Sequence, residues 1–104
     1  MTGIETCLGA VLTNLVHPGT ISWGRMVELM AVNPRAVVGL EPVRIEAGSR
    51  ADLTLIDPEA EWVATEEFYA SKARNCGFTG HAFTGIATDV YVGGEPKMVD
   101  GQLL

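Results

Sequence analysis

The decisive stretch of this sequence is Ala47-Gly48-Ser49-Arg50-Ala51-Asp52-Leu53-Thr54-Leu55-Ile56-Asp57-Pro58. Gly48-Ser49 permits a tight turn, and polar and apolar residues then alternate from Asp52 to Ile56, which predicts a short strand. Because proline has no N–H to donate to a ladder, Asp57-Pro58 is expected to end this strand. The periodicity is helical before this stretch and strand-like after it, so the sequence predicts an α+β fold.

Composition narrows the class of protein. The chain has 104 residues, of which 47% are hydrophobic and 19% charged, so it suits one small domain and is too apolar to be disordered. The net charge is −6, and the basic residues are scattered, which argues against nucleic-acid binding. No apolar run approaches the roughly 20 residues that span a bilayer, and no signal-peptide pattern is present. We therefore expect a cytoplasmic protein without a nucleic-acid or membrane partner.

The two cysteines, Cys7 and Cys76, form no CxxC-like pair. This isolation predicts two free, buried thiols in a reducing cytosol. A disulfide or a metal role is the alternative.

The first predicted helix covers residues 4–16, where apolar residues recur on one face. Thr2 with Glu5 three residues later fits a capping box at its start. His17-Pro18-Gly19 is expected to end it.

Two further helices are predicted before residue 40. One runs from Trp23 to about Val32, with Ser22 as its N-cap. Asn33-Pro34 is expected to close that helix and to open a short third one that ends at Gly39. Three short helices with apolar faces need something larger to pack on, which suggests that the chain is a fragment.

From Leu40 onward the pattern predicts short strands and loops. Strands are expected at residues 43–45, 52–56, 61–64, 86–92 and 97–99. Thr65 is the expected cap of a brief helix up to Ala70, and residues 71–80 read as a loop. Gly93-Gly94 supplies a hairpin turn, and Asp100-Gly101 a final turn.

The two histidines do not point to a metal site, because neither lies in HxH or HExxH spacing. His17, at a helix end, is expected to be a capping or surface residue, and His81 a loop residue. The loop Ser71-Lys72-Ala73-Arg74-Asn75 has two interpretations. Arg74 binds a carboxylate or phosphate, or Arg74 and Asn75 hydrogen-bond the backbone of their own irregular loop.

The remaining polar groups carry no catalytic pattern. The pairs Glu59/Glu61 and Glu66/Glu67 are expected on a solvated acidic face. Gly93-Gly94 is followed by Glu-Pro rather than by a helix, so it is not a phosphate loop. With no Ser–His–Asp or Cys–His arrangement, the sequence predicts no catalytic, cofactor-binding or metal-ligating residue in this chain.

Several motifs, in order, resemble the C-terminal end of a dihydroorotase, a cyclic amidohydrolase of the amidohydrolase superfamily. They are Gly3-Ile4-Glu5-Thr6, Asn33-Pro34-Arg35-Ala36 with Gly39-Leu40, Glu46 to Leu53, Asp57-Pro58 with Trp62, Ser71 to Asn75 with Phe78 and Gly80, and Thr84-Gly85 with Val90 to Gly94. The sequence departs from the family pattern at Gly77, where proline is usual, and at His81, where tryptophan is usual.

The resemblance implies a layout. Residues 1–40 would be the last helices of a (β/α)₈ barrel, and residues 41–104 the C-terminal part of a small β-sandwich with short antiparallel strands. The family's zinc ligands are an HxH pair, a carboxylated lysine, two further histidines and an aspartate, and the resemblance places all of them before Met1. No zinc or other cofactor is therefore expected in this chain, although zinc is expected in the larger parent.

The preferred interpretation is a C-terminal fragment of a dihydroorotase whose parent reversibly hydrolyses dihydroorotate to N-carbamoyl-aspartate. Alone it would be inactive, and its apolar helix faces would be covered by self-association or by the missing barrel chain. The alternatives are a non-catalytic scaffold or interaction module derived from the family, and a fragment of an allantoinase or dihydropyrimidinase.

Overall fold

Helices occupy the first part of the chain and strands the second, in a computed structural model that describes residues 3–104. Helix α1 spans Ile4–Val11 and continues as a π-helical segment, Leu12–Val16. Helix α2 spans Trp23–Val27, a π-helical segment spans Glu28–Val32, and α3 spans Asn33–Val37. The strands are β1 (Leu53–Val63), β2 (Ala82–Val92), β3 (Glu95–Val99) and β4 (Gln102–Leu103), with a 3₁₀ turn at Glu66–Phe68. This is the predicted α+β class.

The described strands form one four-stranded sheet. Their order is β1-β2-β3-β4, so each strand pairs with its neighbour in sequence. The β2–β3 and β3–β4 pairs are antiparallel, and the β2–β3 register shifts between Val90 and Tyr91.

The first helix is confirmed over residues 4–16. Its N-cap is Gly3, whereas Thr2 of the predicted capping box lies outside the described residues. The helix ends as expected: the N–H of His17 donates to the Leu12 carbonyl at 2.9 Å, and Gly19 adopts a φ of +85°.

The start of the second helix is also confirmed, because the Ser22 hydroxyl accepts a hydrogen bond from the Arg25 N–H at 3.1 Å. The predicted break at Asn33-Pro34 is wrong. Asn33 has helical angles, φ −67° and ψ −43°, and its N–H donates to the Glu28 carbonyl five residues back. The helix therefore passes through this point by a widened π-helical turn instead of stopping and restarting. Gly39, with a φ of +77°, ends it as predicted.

Strand β1 corrects the prediction for the decisive stretch. The expected strands at 52–56 and 61–64 are one continuous strand, Leu53–Val63, which runs through Asp57-Pro58. The reason is its position at one end of the sheet order, because an edge strand needs ladder hydrogen bonds on one side only and so tolerates a proline. The strand predicted at residues 43–45 is also wrong. There the Arg44 N–H donates to the Ser49 hydroxyl at 3.3 Å in an irregular turn.

The hairpin is confirmed and extended. Gly93 and Gly94 have φ values of +58° and +82°, which match the mirror-image turn that joins twisted strands tightly. β2 begins at Ala82, earlier than predicted. Asp100-Gly101 forms the expected turn and leads into β4, whose two residues are too few to show a period in the sequence.

The chain divides into two compact units, and the boundaries between them fall after Thr20, within β1 and within β2. Unit 1 contains the chain up to Thr20 together with Asp57–Ile86. Unit 2 contains Ile21–Ile56 together with Ala87–Leu104. The division at residue 40, which concerns the origin of each half within a larger protein, stays a prediction.

Unit 1 is organised around close contact between α1 and the strands. Leu12 is fully buried, and Gly85 of β2 lies so near that a Cβ there would be 2.6 Å from Leu12 Cδ1. Gly9 similarly lies against the ring of Trp62, whose indole N–H donates to the Gly85 carbonyl at 2.9 Å. The Trp62 ring also packs on Phe83, with centroids 5.2 Å apart. Two glycines thus let a helix and a sheet approach more closely than any side chain would permit.

Among the described residues, unit 2 has fewer buried apolar side chains than unit 1. Met26 is its one large apolar residue that is buried among those described, at 3% exposure. Many apolar side chains of its helices and the following segment are exposed: Trp23, Val27, Leu29, Val32, Val37, Val38, Leu40 and Ile45. Within residues 3–104, no helix has both the length and the apolar character needed to cross a bilayer.

The close approach at Gly9 gives a first prediction. In Gly9→Ala the new Cβ would lie 2.8 Å from Trp62 Cζ2, and we expect the overpacking, about 1–3 kcal/mol, to exceed the gain in helix propensity of about 1 kcal/mol. Urea unfolding should therefore give a lower free energy of unfolding.

The matched control is Gly24→Ala in α2, where the nearest atom to the new Cβ is 3.9 Å away. It should raise the free energy of unfolding by up to about 1 kcal/mol. Equal effects of the two substitutions would contradict the close approach of α1 to Trp62.

Candidate functional site

A polar cluster in unit 1 joins the start of α1 to the loop that follows the 3₁₀ turn. The Glu5 carboxylate accepts hydrogen bonds from the Ser71 N–H, at 2.8 Å, and from the Ser71 hydroxyl. Thr6, which is 1% exposed, has its hydroxyl 3.3 Å from the Gly3 carbonyl and 3.6 Å from Cys76 Sγ. Two consecutive helix residues therefore hold two points of the loop.

Cys76 lies at the centre of this cluster and is half-buried. The groups that favour its charged form are the backbone N–H of Phe78, then the Thr6 hydroxyl, 3.6 Å from the sulfur, and the Tyr69 hydroxyl. These donors hold the pKa of the Cys76 thiol below its usual value, although burial and the Glu5 carboxylate act in the opposite direction.

Tyr69 is buried, and its hydroxyl lies 2.7 Å from Thr79 Oγ1. The bond to Thr79 by itself would lower the pKa of Tyr69. Burial and the neighbouring Cys76 and Glu5 outweigh that bond and raise the pKa above its usual value. At neutral pH, Tyr69 is therefore a neutral hydrogen-bonding group.

The second interpretation of the loop is confirmed for Arg74, and for Asn75 it stays a prediction. One of its guanidinium nitrogens donates to the backbone carbonyls of Glu66 and of Tyr69, the latter at 2.8 Å. This single nitrogen bridges two carbonyls of the preceding turn and so ties the loop to that turn. A shallow pocket of about 350 Å³ adjoins it, lined by Glu66, Arg74, Asn75, Cys76, Gly77 and Thr79.

The histidines lie where the sequence places them. His17 is exposed at the end of the first helix. His81 lies directly before β2, with Nδ1 3.1 Å from the Phe78 carbonyl and its ring stacked on Phe83 at 6.4 Å between centroids. The predicted acidic face is also confirmed, because Glu59, Glu61, Glu66 and Glu67 are all exposed.

The prediction for the cysteines is half right. Both thiols are free, as expected, but neither is buried, because Cys7 is exposed and Cys76 half-buried. Cys7 lies on the outer side of α1, whereas the adjacent Thr6 takes the buried position. Near its start, the buried face of α1 therefore includes position 6 and not position 7.

The residues that the structure describes do not fit a zinc site. In the part of the chain that the structure describes, no three His, Cys, Asp or Glu side chains come together in a way that could hold a metal ion. The cluster around Cys76 offers hydroxyl and amide donors with one carboxylate, and these groups bond one another. Its contacts hold a loop in place, and they pair no nucleophile with a base.

No local pattern in the sequence predicts this cluster, because its key pairs are 66 and 70 residues apart. The indirect signal was the family resemblance, since Glu5, Thr6 and Ser71 all belong to motifs that carry it. Their spacing alone predicted no contact.

Comparisons with known proteins identify the class. No family model matches the chain. An L-hydantoinase (dihydropyrimidinase) from Arthrobacter aurescens has a similar structure, with a TM-score of 0.89 and 31% identity over 98% of this chain and 23% of that one. A D-hydantoinase structure matches with a TM-score of 0.78 and 33% identity, over 86% of this chain and 20% of that one. The chain is thus similar to part of the cyclic amidohydrolases.

The curated relatives are more specific. A dihydroorotase from Chlorobaculum tepidum is 43% identical over 89 residues, which are 86% of this chain and 20% of that protein. One from Pelotomaculum thermopropionicum is 37% identical over 96% of this chain and 23% of its own length. The chain is therefore similar to one segment of the dihydroorotases, and it spans about a fifth of the length of the curated relatives that it matches.

The geometry around Cys76 gives a second prediction. In Thr6→Val the thiolate loses one hydrogen-bond donor, so the pKa of Cys76 should rise toward its usual value. The rate of iodoacetamide alkylation at neutral pH should fall about two- to fivefold.

Mass spectrometry of the Cys76 peptide, with the exposed Cys7 as internal reference, measures this rate across a pH series. Thr13→Val is the control, because Thr13 lies on the same helix and accepts from the Thr84 N–H instead. An unchanged pH profile in Thr6→Val would show that Thr6 does not support the thiolate.

Proposed function

We propose that this chain is the C-terminal structural segment of a dihydroorotase-like enzyme. In this role it supplies the last helices of a (β/α)₈ barrel and part of a small β-sandwich. The rest of the enzyme's polypeptide supplies the zinc site. The observation that carries the proposal is the 43% identity to a dihydroorotase over 86% of this chain but only 20% of that protein. The whole enzyme would reversibly hydrolyse dihydroorotate to N-carbamoyl-aspartate in the cytoplasm.

The exposed apolar side chains of unit 2 support a packing role. Trp23 and Val27 lie one helical turn apart and are 42% and 45% exposed, and Val32 is 52% exposed. A surface of this kind is costly to leave in water and is usually covered by other protein. We propose that the rest of the barrel covers this surface in the whole enzyme. When the rest of the barrel is absent, self-association covers it.

A chimera tests the proposed function. The matching segment of the Chlorobaculum tepidum dihydroorotase would be replaced by this chain, and turnover of dihydroorotate and of hydantoin would be measured after zinc loading. We expect the chimera to hydrolyse dihydroorotate, whereas this chain alone and the relative without its segment should not.

Two results would overturn the proposal. One is zinc-dependent turnover by the 104-residue chain alone, which would require a reaction centre within it. The other is a chimera that folds and binds zinc but hydrolyses hydantoin rather than dihydroorotate.

The packing role gives a separate prediction. Val27→Asp places a charge on the exposed apolar helix surface, and we expect it to weaken association of this chain with a separately expressed remainder of the relative by at least about tenfold. Binding would be measured by titration calorimetry.

Asn33→Asp is the matched control, because it introduces the same residue and the same change of charge at an exposed position on the same helical stretch. It should change affinity by less than about twofold. Equal losses in the two variants would mean that net charge, and not the apolar surface, governs association.

A further inference from the structure

Three segments of unit 2 meet at the carboxylate of Asp52. Arg50 Nε lies 2.8 and 2.9 Å from its two oxygens. The backbone N–H of Gly93, in the β2–β3 turn, donates to Oδ1 at 2.8 Å. Arg35 of α3 approaches Oδ2 at 3.7 Å.

These segments carry three of the motifs on which the family resemblance depends. Arg35 belongs to Asn33-Pro34-Arg35-Ala36, Asp52 to the decisive stretch, and Gly93 to the closing hairpin. Nothing in their spacing along the chain predicts that they converge. In the structure they form one arrangement with a single acceptor at its centre.

The amide of Gly93 is the strongest of the three contacts on physical grounds. The side chains of Arg50 and Arg35 are 60% and 30% exposed, so solvent screens their attraction to Asp52. Asp52 itself is only 20% exposed. A short hydrogen bond from an amide N–H to a charged acceptor is roughly twice as strong as a hydrogen bond between neutral groups. Next to this contact, the Gly94 N–H donates a hydrogen bond to the Ala51 carbonyl at 3.0 Å.

We propose that Asp52 acts as a charge latch that fastens the Gly93-Gly94 turn to the segment before β1 and orients both toward the end of α3. While the carboxylate is charged, the hairpin turn is held. When the charge is removed, by protonation or substitution, the Gly93 amide is released. The latch belongs to this chain and does not depend on the reaction of the larger enzyme.

The pH dependence follows from the groups around Asp52. The Gly93 N–H, then Arg50 and Arg35, hold the pKa of Asp52 below its usual value against partial burial. The facing groups are Arg35 from α3 and Arg50 from the preceding turn, while the hairpin contributes the uncharged Gly93 amide. Because the folded pKa is lowered, the latch is fully closed above about pH 4 and opens only as pH falls through the lowered pKa.

Amide hydrogen exchange of Gly93 tests the latch in the chain as purified. Asp52→Asn keeps the shape and removes the charge, and we expect Gly93 to exchange at least about tenfold faster. Arg35→Met should raise the exchange rate by less than about threefold, because its ion pair is screened.

Glu95→Gln is the control, since it removes one negative charge from the same hairpin at a side chain that is 77% exposed. Gly93 should exchange at the wild-type rate in this variant. The proposal is overturned if Asp52→Asn and Glu95→Gln give the same Gly93 exchange rate.

A titration of the unmodified chain gives a second readout that does not depend on a folded variant. The Gly93 amide proton shift should change with an inflection below about pH 3.9, the ordinary aspartate value. A Gly93 shift that stays flat through the titration of Asp52 would also overturn the latch.

Discussion

The close approach of α1 to the sheet is the constraint on which unit 1 depends. Gly85 has a φ of +111° and would place a Cβ 2.6 Å from Leu12, so this position excludes every side chain on two separate grounds. The approach buries Leu12 completely and sets Trp62 and Phe83 against Gly9. It also brings Glu5 and Thr6 within reach of Ser71 and Cys76, so the polar cluster follows from the apolar packing.

Local signals in the sequence were enough for the start of the second helix, the end of the third and the hairpin turn. Ser22, Gly39 and Gly93-Gly94 act within a few residues of themselves, and the structure uses each as its chemistry predicts. Pro58 and Pro34 were misleading because a proline's effect depends on what surrounds it. At Pro58 the position of β1 in the sheet decided the outcome, and near Pro34 a widened helical turn did. Neither is visible to a short window of sequence.

The polar contacts needed tertiary information. Asp52 reads as an ordinary strand residue, and Cys76 as one of two isolated thiols, until the fold brings Gly93 and Thr6 to them. In each unit a single side chain collects donors from segments that the sequence separates widely. The family resemblance identified these segments as motifs. The contacts between them are seen only in the packed structure.

Pro58 also bears on how the chain behaves at high concentration. A sheet edge with an unbroken row of amide donors is a template for the growth of fibrils. Pro58 stands in the middle of β1, which has 11 residues, and leaves five on either side. Such stretches are shorter than the six or seven residues typical of self-complementary amyloid segments, and Asp57, Glu59 and Glu61 add like charges to them. The residue that misleads a strand assignment therefore protects the edge strand from templating its own aggregation.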